Sequence, residues 1–222
     1  MSDAADAPAP EARLKAAIVH VTPFEQNCSL VWAEASKRGV VVDPGGDVAR
    51  IEQAIAQVGM TVEKIVLTHG HLDHVGGAVE LKEKLGVEIE GPHIADKFLM
   101  DGVEKQATQY GLSGMKNATS DRWLEEGQTL TIGGQAFEIF HCPGHSPGSL
   151  VYVNRANRFA LVGDVIFRGS IGRTDFPYGD HDALISSIKA KLLPLGDDIA
   201  FICGHGAMST FGVERQSNPF LV

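Results

Sequence analysis

The sequence contains little cysteine and no apolar run long enough to cross a bilayer. Its 222 residues include only three cysteines, Cys28, Cys142 and Cys203, an odd number without regular spacing. This argues against a disulfide scaffold and fits a reducing compartment. The opening residues MSDAADAPAPEAR lack the basic and apolar regions of a secretory signal. We therefore predict a cytoplasmic protein that does not associate with membranes.

Basic side chains are also scarce. The chain carries 19 lysines and arginines against 28 aspartates and glutamates, which gives a formal net charge of −9. So acidic a chain repels a phosphate backbone, and no run of basic residues offsets the total. We therefore expect no nucleic-acid partner and predict a small-molecule substrate. The sequence is compatible with a monomer or with a small homo-oligomer.

The length allows one large domain. Residues 1–12 are rich in alanine, proline and aspartate and predict a disordered tail, whereas residues 13–222 predict a single α/β domain with layered sheets. Residues 102–120 show no hydrophobic period and predict a long loop, suited to a lid over a site. Hydrophobic spacing predicts helices around residues 48–58, 78–85 and 182–193. Short apolar runs predict strands at residues 16–21, 29–33, 39–42, 64–67, 87–90, 129–132, 136–140, 150–153, 159–162 and 199–203.

Histidine and aspartate are concentrated in short turns that directly follow predicted strands. The stretch LTHGHLDHVGG, residues 67–77, places three histidines and one aspartate within six residues. Strand ends are where an α/β scaffold presents reactive side chains, and imidazole and carboxylate both suit a divalent metal ion. The absence of paired cysteines favours a catalytic ion, or a pair of ions, over a structural one. The candidate ligands are His69, His71, Asp73, His74, His145, Asp164 and His205.

The histidine stretch resembles the HxHxDH signature of the metallo-β-lactamase fold. The similarity continues through DPG at 43–45, PGHSPGS at 143–149, GD at 163–164 and GHG at 204–206, in the family's order. It implies an αββα sandwich with the metal site at one edge, between the two sheets. It also implies that Asp43 is a buried aspartate that braces the histidine loop. By this resemblance the first metal ion is bound by His69, His71 and His145, the second by Asp73, His74 and His205, and Asp164 bridges the two.

The downstream motifs GRTDFPYGD, at 172–180, and GHGAMSTFGVERQSNPF, at 204–220, are similar to those of short glyoxalase II-like proteins. These resemble hydroxyacylglutathione hydrolases but lack the C-terminal helical domain. The resemblance implies hydrolysis of glutathione thioesters such as S-lactoylglutathione by a hydroxide that bridges two divalent ions. Zinc is expected, with iron or manganese also compatible with such ligands. Asp73 and Asp164 are then catalytic residues as well as ligands.

Other functions are also compatible with these motifs. Persulfide dioxygenases share the fold and the HxHxDH run, and resemblance to them implies one iron bound by His69, His145 and Asp164. Hydrolysis of a lactam, lactone or phosphoester is another alternative, and a metal-binding module without turnover is a third.

Arg173 could bind a glutathione carboxylate through its guanidinium or form a salt bridge with Asp175 or Asp180.

Overall fold

Two β-sheets form the middle of the structure, a computed structural model that describes residues 13–222. The first sheet has five strands in sequential order, the first three antiparallel and the last three parallel. The tail predicted for residues 1–12 lies outside the described residues. The five strands are β1 (Leu14–Val21), β2 (Gln26–Ala33), β3 (Arg38–Val42), β4 (Thr61–Val66) and β5 (Glu88–Glu90).

The second sheet has six strands in the order β13-β12-β9-β8-β7-β6, and only β12 and β9 are parallel neighbours. A short separate hairpin lies beside this sheet and is formed by β10 (Ile166–Phe167) and β11 (Ser170–Ile171). The six strands are β6 (Thr129–Ile132), β7 (Gln135–His141), β8 (Leu150–Asn154), β9 (Phe159–Gly163), β12 (Ala200–Cys203) and β13 (Ser209–Thr210).

Helices cover the outer faces of both sheets. A π-helical turn, Ile188–Leu192, and a 3₁₀ turn, Leu193–Leu195, continue the helix that begins at His181. No helix within residues 13–222 combines the length and the apolar character that a membrane span requires. The helices are α1 (Val48–Val58), α2 (Leu72–Val75), α3 (Ala78–Leu85), α4 (Lys97–Met100), α5 (Val103–Gln109), α6 (His181–Ser187) and α7 (Phe211–Ser217).

The alternation of side chains along the strands produces three apolar layers. In β2, Leu30 packs with the helices of the first half, whereas its neighbour Val31 packs between the sheets. In β8, Val151 packs with the helices of the second half, whereas Tyr152 packs between the sheets. Successive residues of a strand face opposite sides, so strands covered on both faces are apolar throughout. The architecture is the predicted αββα sandwich.

The prediction of a long loop at residues 102–120 is wrong in part, because the segment begins with α5. Val103 and Ala107, one helical turn apart, are buried in the core of the first half. Only these two positions of the helix are buried and apolar, and the residues between and after them are mostly polar. Two positions are too few to show a helical period in the sequence. Gln106 and Tyr110, from the other side of this segment, line the cavity described below. The segment is therefore a cavity wall with its own helix.

Candidate metal centre

All the predicted ligands meet at one edge of the sandwich, between the two sheets. Each follows the carboxyl end of a strand: the histidine stretch follows β4, His145 follows β7, Asp164 follows β9 and His205 follows β12. Asp73 and His74 lie in the first turn of α2, whose helical backbone turns them toward this edge. Residues far apart in the chain therefore become neighbours because their strands end at the same edge.

Three imidazoles form the first group. Nδ1 of His71 lies 3.0 Å from Nε2 of His69 and 2.8 Å from Nε2 of His145. All three side chains are buried, with their ligand atoms close enough to bind one ion. The structure thus brings together the three residues that the resemblance implies for the first ion.

The second group consists of Asp73, His74 and His205, whose ligand atoms are also close enough to bind one ion. Nε2 of His205 lies 3.1 Å from Oδ2 of Asp73. Asp164 lies between the two groups: its Oδ1 is 3.3 Å from Nε2 of His74, and its Oδ2 is 3.5 Å from Nε2 of His145. The carboxylate of Asp164 thus reaches both groups.

The outer nitrogen of each ring is held by an acceptor, which fixes the tautomer. Nδ1 of His145 donates to the carbonyl of Arg173 at 2.9 Å, and Nδ1 of His205 donates to the carbonyl of Phe24 at 3.2 Å. The Thr68 hydroxyl gives its proton to Asp43, so its oxygen accepts from Nδ1 of His69. A neutral imidazole carries one proton, and the nitrogens that face the centre are therefore left with lone pairs.

This arrangement of lone pairs fits a bound cation. Burial and the neighbouring His145 lower the pKa of His71 to about 3, and burial together with His74 holds the pKa of His69 well below its usual value. Nitrogen atoms of neutral rings that lie about 3 Å apart and point their lone pairs at one another repel, unless a positive ion lies between them. Nε2 of His74 and Oδ1 of Asp164 are buried without a hydrogen-bond partner among the described residues. Imidazole and carboxylate donors of this kind suit a divalent metal.

The charge around His74 supports the same conclusion. Burial alone would lower the pKa of His74, but the nearby carboxylates, led by that of Asp164, outweigh it and raise the pKa of this imidazole. Carboxylates that raise the pKa of a fully buried ring also attract a metal cation to the same place. Gly204 makes the approach possible: a Cβ there would lie 2.0 Å from Oδ1 of Asp164 and 2.5 Å from Cε1 of His74.

Asp43 occupies the predicted bracing position behind the histidines. Its carboxylate accepts hydrogen bonds from the backbone N–H and the hydroxyl of Thr68, at 2.7 and 2.6 Å, and from Nδ1 of His74 at 2.9 Å. Asp43 is also close enough to His69 and His74 to form a third possible ligand set. Since its oxygens already accept these bonds, we assign it to orientation of the rings and not to metal binding.

Asp96 was not found from the sequence, although it joins two ligand-bearing loops. Its buried carboxylate accepts from the N–H of Gly70 at 2.8 Å, the N–H of Gly148 at 2.6 Å and the hydroxyl of Ser146 at 2.7 Å. Gly70 separates His69 from His71, and Ser146 follows His145. The sequence around Asp96, IADKF, contains no motif that predicts this role.

The centre opens into a cavity of about 620 Å³ whose lining, apart from the candidate ligands, consists mainly of aromatic and neutral polar side chains. Arg173 lines it too, but its guanidinium forms a two-pronged salt bridge with Asp175, at 2.7 Å for both N–O pairs, and lies 4.5 Å above the ring of Phe176. Of the two alternatives for Arg173, the structure contains the salt bridge with Asp175. The aromatic side chains in the lining are Phe24, Tyr110, Phe167, Phe176 and Tyr178.

Known proteins similar to this chain cover nearly its whole length. A family model for the metallo-β-lactamase superfamily matches residues 21–205, a range that includes every predicted ligand. The hydroxyacylglutathione hydrolase GloC of Haemophilus influenzae is 49% identical over 205 residues, which are 92% of this chain and 96% of that protein. The crystal structure of the BLEG-1 B3 metallo-beta-lactamase superimposes with a TM-score of 0.86 at 32% identity, covering 93% of this chain and 99% of that one. TTHA1623, solved in a di-iron-bound form, has a TM-score of 0.82 at 35% identity, with 92% and 99% covered.

Proposed function

The chain belongs to the metallo-β-lactamase superfamily and is a metal-dependent hydrolase, and we propose that its substrates are glutathione thioesters such as S-lactoylglutathione. The proposal rests on one observation above all: imidazole and carboxylate atoms converge at a buried edge with their lone pairs facing inward. The similarity to the Haemophilus influenzae hydroxyacylglutathione hydrolase supports the choice of thioester.

We propose that two divalent ions bind at this edge. The first would be held by His69, His71 and His145, the second by Asp73, His74 and His205, with Asp164 shared between them. Zinc is our proposed metal, since histidine and aspartate suit it well, and the di-iron-bound relative supports iron as an alternative. We also propose a cytoplasmic location, which the three free cysteines support.

Ions bound there supply a water of lowered pKa and polarisation of the thioester carbonyl. The protein's own contribution is orientation. Asp73 and Asp164 both line the cavity, where a carboxylate oxygen can accept a hydrogen bond from the attacking water and orient it toward the carbonyl carbon. Behind them, Asp43 and the carbonyl of Arg173 hold the rings of His74 and His145 in place, so that little reorganisation is needed during the reaction.

The leaving group explains why the site needs no separate strong acid. A thiol has a pKa of about 8.5, so a thiolate departs readily near neutral pH. A substrate with an alkoxide or amide leaving group would need a proton donor at the leaving atom. The neutral aromatic and amide side chains in the cavity lining are compatible with a thiolate leaving group, which needs no proton donor.

The experiment combines metal analysis of the purified protein with a substrate panel of S-lactoylglutathione, a β-lactam, a lactone, a phosphodiester and glutathione persulfide. We expect about two ions per chain and fastest turnover of the thioester, and we expect Asp164→Ala to lower kcat by about a thousandfold or more. One iron per chain together with oxygen uptake on glutathione persulfide would replace the hydrolase with a dioxygenase. Full thioester activity in Asp164→Ala would remove Asp164 from its bridging role.

A further inference from the structure

The C-terminal helix α7 carries a carboxylate that the reaction itself does not use. Glu214 is completely buried, and within residues 13–222 no lysine or arginine forms an ion pair with it. Its Oε2 accepts from the N–H of Gly169 at 2.7 Å and from Nδ2 of Asn218 at 2.9 Å, and its Oε1 accepts from the hydroxyl of Ser209. A buried carboxylate is costly unless such bonds satisfy it, so these contacts fix the position of Glu214.

Asn218, one turn beyond Glu214, extends the same network toward the hairpin β10–β11. Its side chain is also completely buried. Nδ2 donates to the carbonyl of Ser170 at 2.9 Å and lies 3.4 Å from the carbonyl of Phe167, while Oδ1 accepts from the N–H of Phe220 at 3.1 Å. These partners determine which end of the amide is the donor, and the donor faces the hairpin.

The hairpin has little strand pairing of its own, and these contacts position it together with the buried side chains of Ile166 and Ile171. Its two strands pair at only two positions, Ile166 with Ile171 and Phe167 with Ser170. A two-stranded ribbon of this length is marginally stable by itself. Glu214 holds the turn through the N–H of Gly169, and Asn218 holds the carbonyls on both sides of that turn.

The same hairpin forms one wall of the substrate cavity. Phe167, Ser170 and Ile171 all line it, and the ring centroid of Phe167 is 6.3 Å from that of His205. Glu214 and Asn218 do not line the cavity themselves. They can therefore affect the substrate through the hairpin that they hold.

We propose that Glu214 and Asn218 are positioning residues that set the wall at 166–171 and thereby determine how tightly a thioester binds. The choice of thioester rests on the proposed function. The wall offers the apolar side chains of Phe167, which lies near His205, and of Ile171, so the part of the substrate that lies there is a carbon substituent and not a charged group. This role also explains why the tail motif GVERQSNPF accompanies the ligand motifs although it contains no ligand.

Asn218→Asp and a control on the same helix test this role. Asn218→Asp replaces the donor nitrogen by an acceptor oxygen, which faces the carbonyl of Ser170 and the carboxylate of Glu214 and so repels the hairpin. Ser217→Ala is the matched control, because the Ser217 hydroxyl is exposed and donates to the carbonyl of Val213 within α7. We expect Asn218→Asp to raise KM for S-lactoylglutathione about tenfold with kcat within about twofold, and Ser217→Ala to resemble the wild type.

Two further readouts separate this role from a general loss of structure. Metal content should be unchanged in both variants, and hydrogen exchange of residues 166–171 should be faster in Asn218→Asp only. Asn218→Ala, which removes the donors without adding charge, provides the same test if the aspartate variant fails to fold. Unchanged KM in a folded Asn218 variant, or a fall in kcat with KM unaltered, would overturn the proposal. A wild type that cleaves no thioester would refute the proposed function, whereas the exchange measurement would still decide whether α7 holds the hairpin.

Discussion

The hydroxyl oxygen of Tyr178 lies 2.8 Å from Nε2 of His71, so a residue of the cavity wall holds the outer nitrogen of a histidine in the first ligand group. Burial raises the pKa of Tyr178 to about 12, which keeps the phenol neutral. Nε2–H of His71 therefore donates to this oxygen, and Nδ1 keeps its lone pair toward the centre. No local pattern marks Tyr178, whose only signal in the sequence is its place in GRTDFPYGD.

Tyr178→Phe should weaken metal binding while keeping the fold. The variant removes only the acceptor of the His71 N–H, and loss of such an outer partner typically costs about tenfold or more in metal affinity. Competition with a chelator measures the effect. Tyr110→Phe is the matched control, because its ring lines the same cavity and contacts Phe24. Equal weakening in both variants would contradict a specific role for the bond to His71.

Asp96→Ala should destabilise the protein more than any surface aspartate. The change leaves the N–H groups of Gly70 and Gly148 buried without their acceptor and releases both ligand-bearing loops. We expect a loss of about 3 kcal/mol in the free energy of unfolding, measured with denaturant on the metal-loaded protein. Asp101→Ala, which breaks only the exposed pair with Lys97, should cost less than about 1 kcal/mol. Equal losses in the two variants would show that Asp96 does not join the loops.

Arg173 and Asp175 should affect substrate binding in opposite directions if the guanidinium also binds a glutathione carboxylate. Arg173→Gln removes the charge, and we expect KM for S-lactoylglutathione to rise about tenfold with kcat retained. Asp175→Asn weakens the salt bridge and frees the guanidinium, so KM should fall. Steady-state kinetics of both variants measure this. If KM is unchanged in both, the pair is purely structural and Arg173 does not bind the substrate.

Removal of metal should destabilise the protein, since the inward lone pairs repel one another without a cation. A metal ion that binds the folded state stabilises it by mass action, so chelation should lower Tm by at least about 5 °C and added zinc should restore it.

His205→Ala removes one ligand of the second group only, and the metal content of this variant should fall from about two ions per chain to about one. Elemental analysis measures this content, and identical values for variant and wild type would exclude His205 as a ligand.

Much of the centre could be predicted because its information is local. The histidine stretch follows β4 directly, and the downstream ligands stand in short turns after strands, so residue type and spacing predicted the candidates, whereas their common edge was implied by the family resemblance. The helix within 102–120 escaped prediction because two buried apolar residues, Val103 and Ala107, are too few to show a period. The hairpin β10–β11 was missed for the same reason, since each strand has only two residues.

The sequence by itself determined the α/β class, most of the strands and the candidate ligands, since these follow from periodicity and from motifs a few residues long. Tertiary structure decided which side chains hold those ligands. Tyr178 is 107 residues from His71, and Asp96 is 52 residues from Gly148. Such pairs leave no local pattern, because a hydrogen bond depends on distance and direction in space, and only the packed sheets bring these groups together.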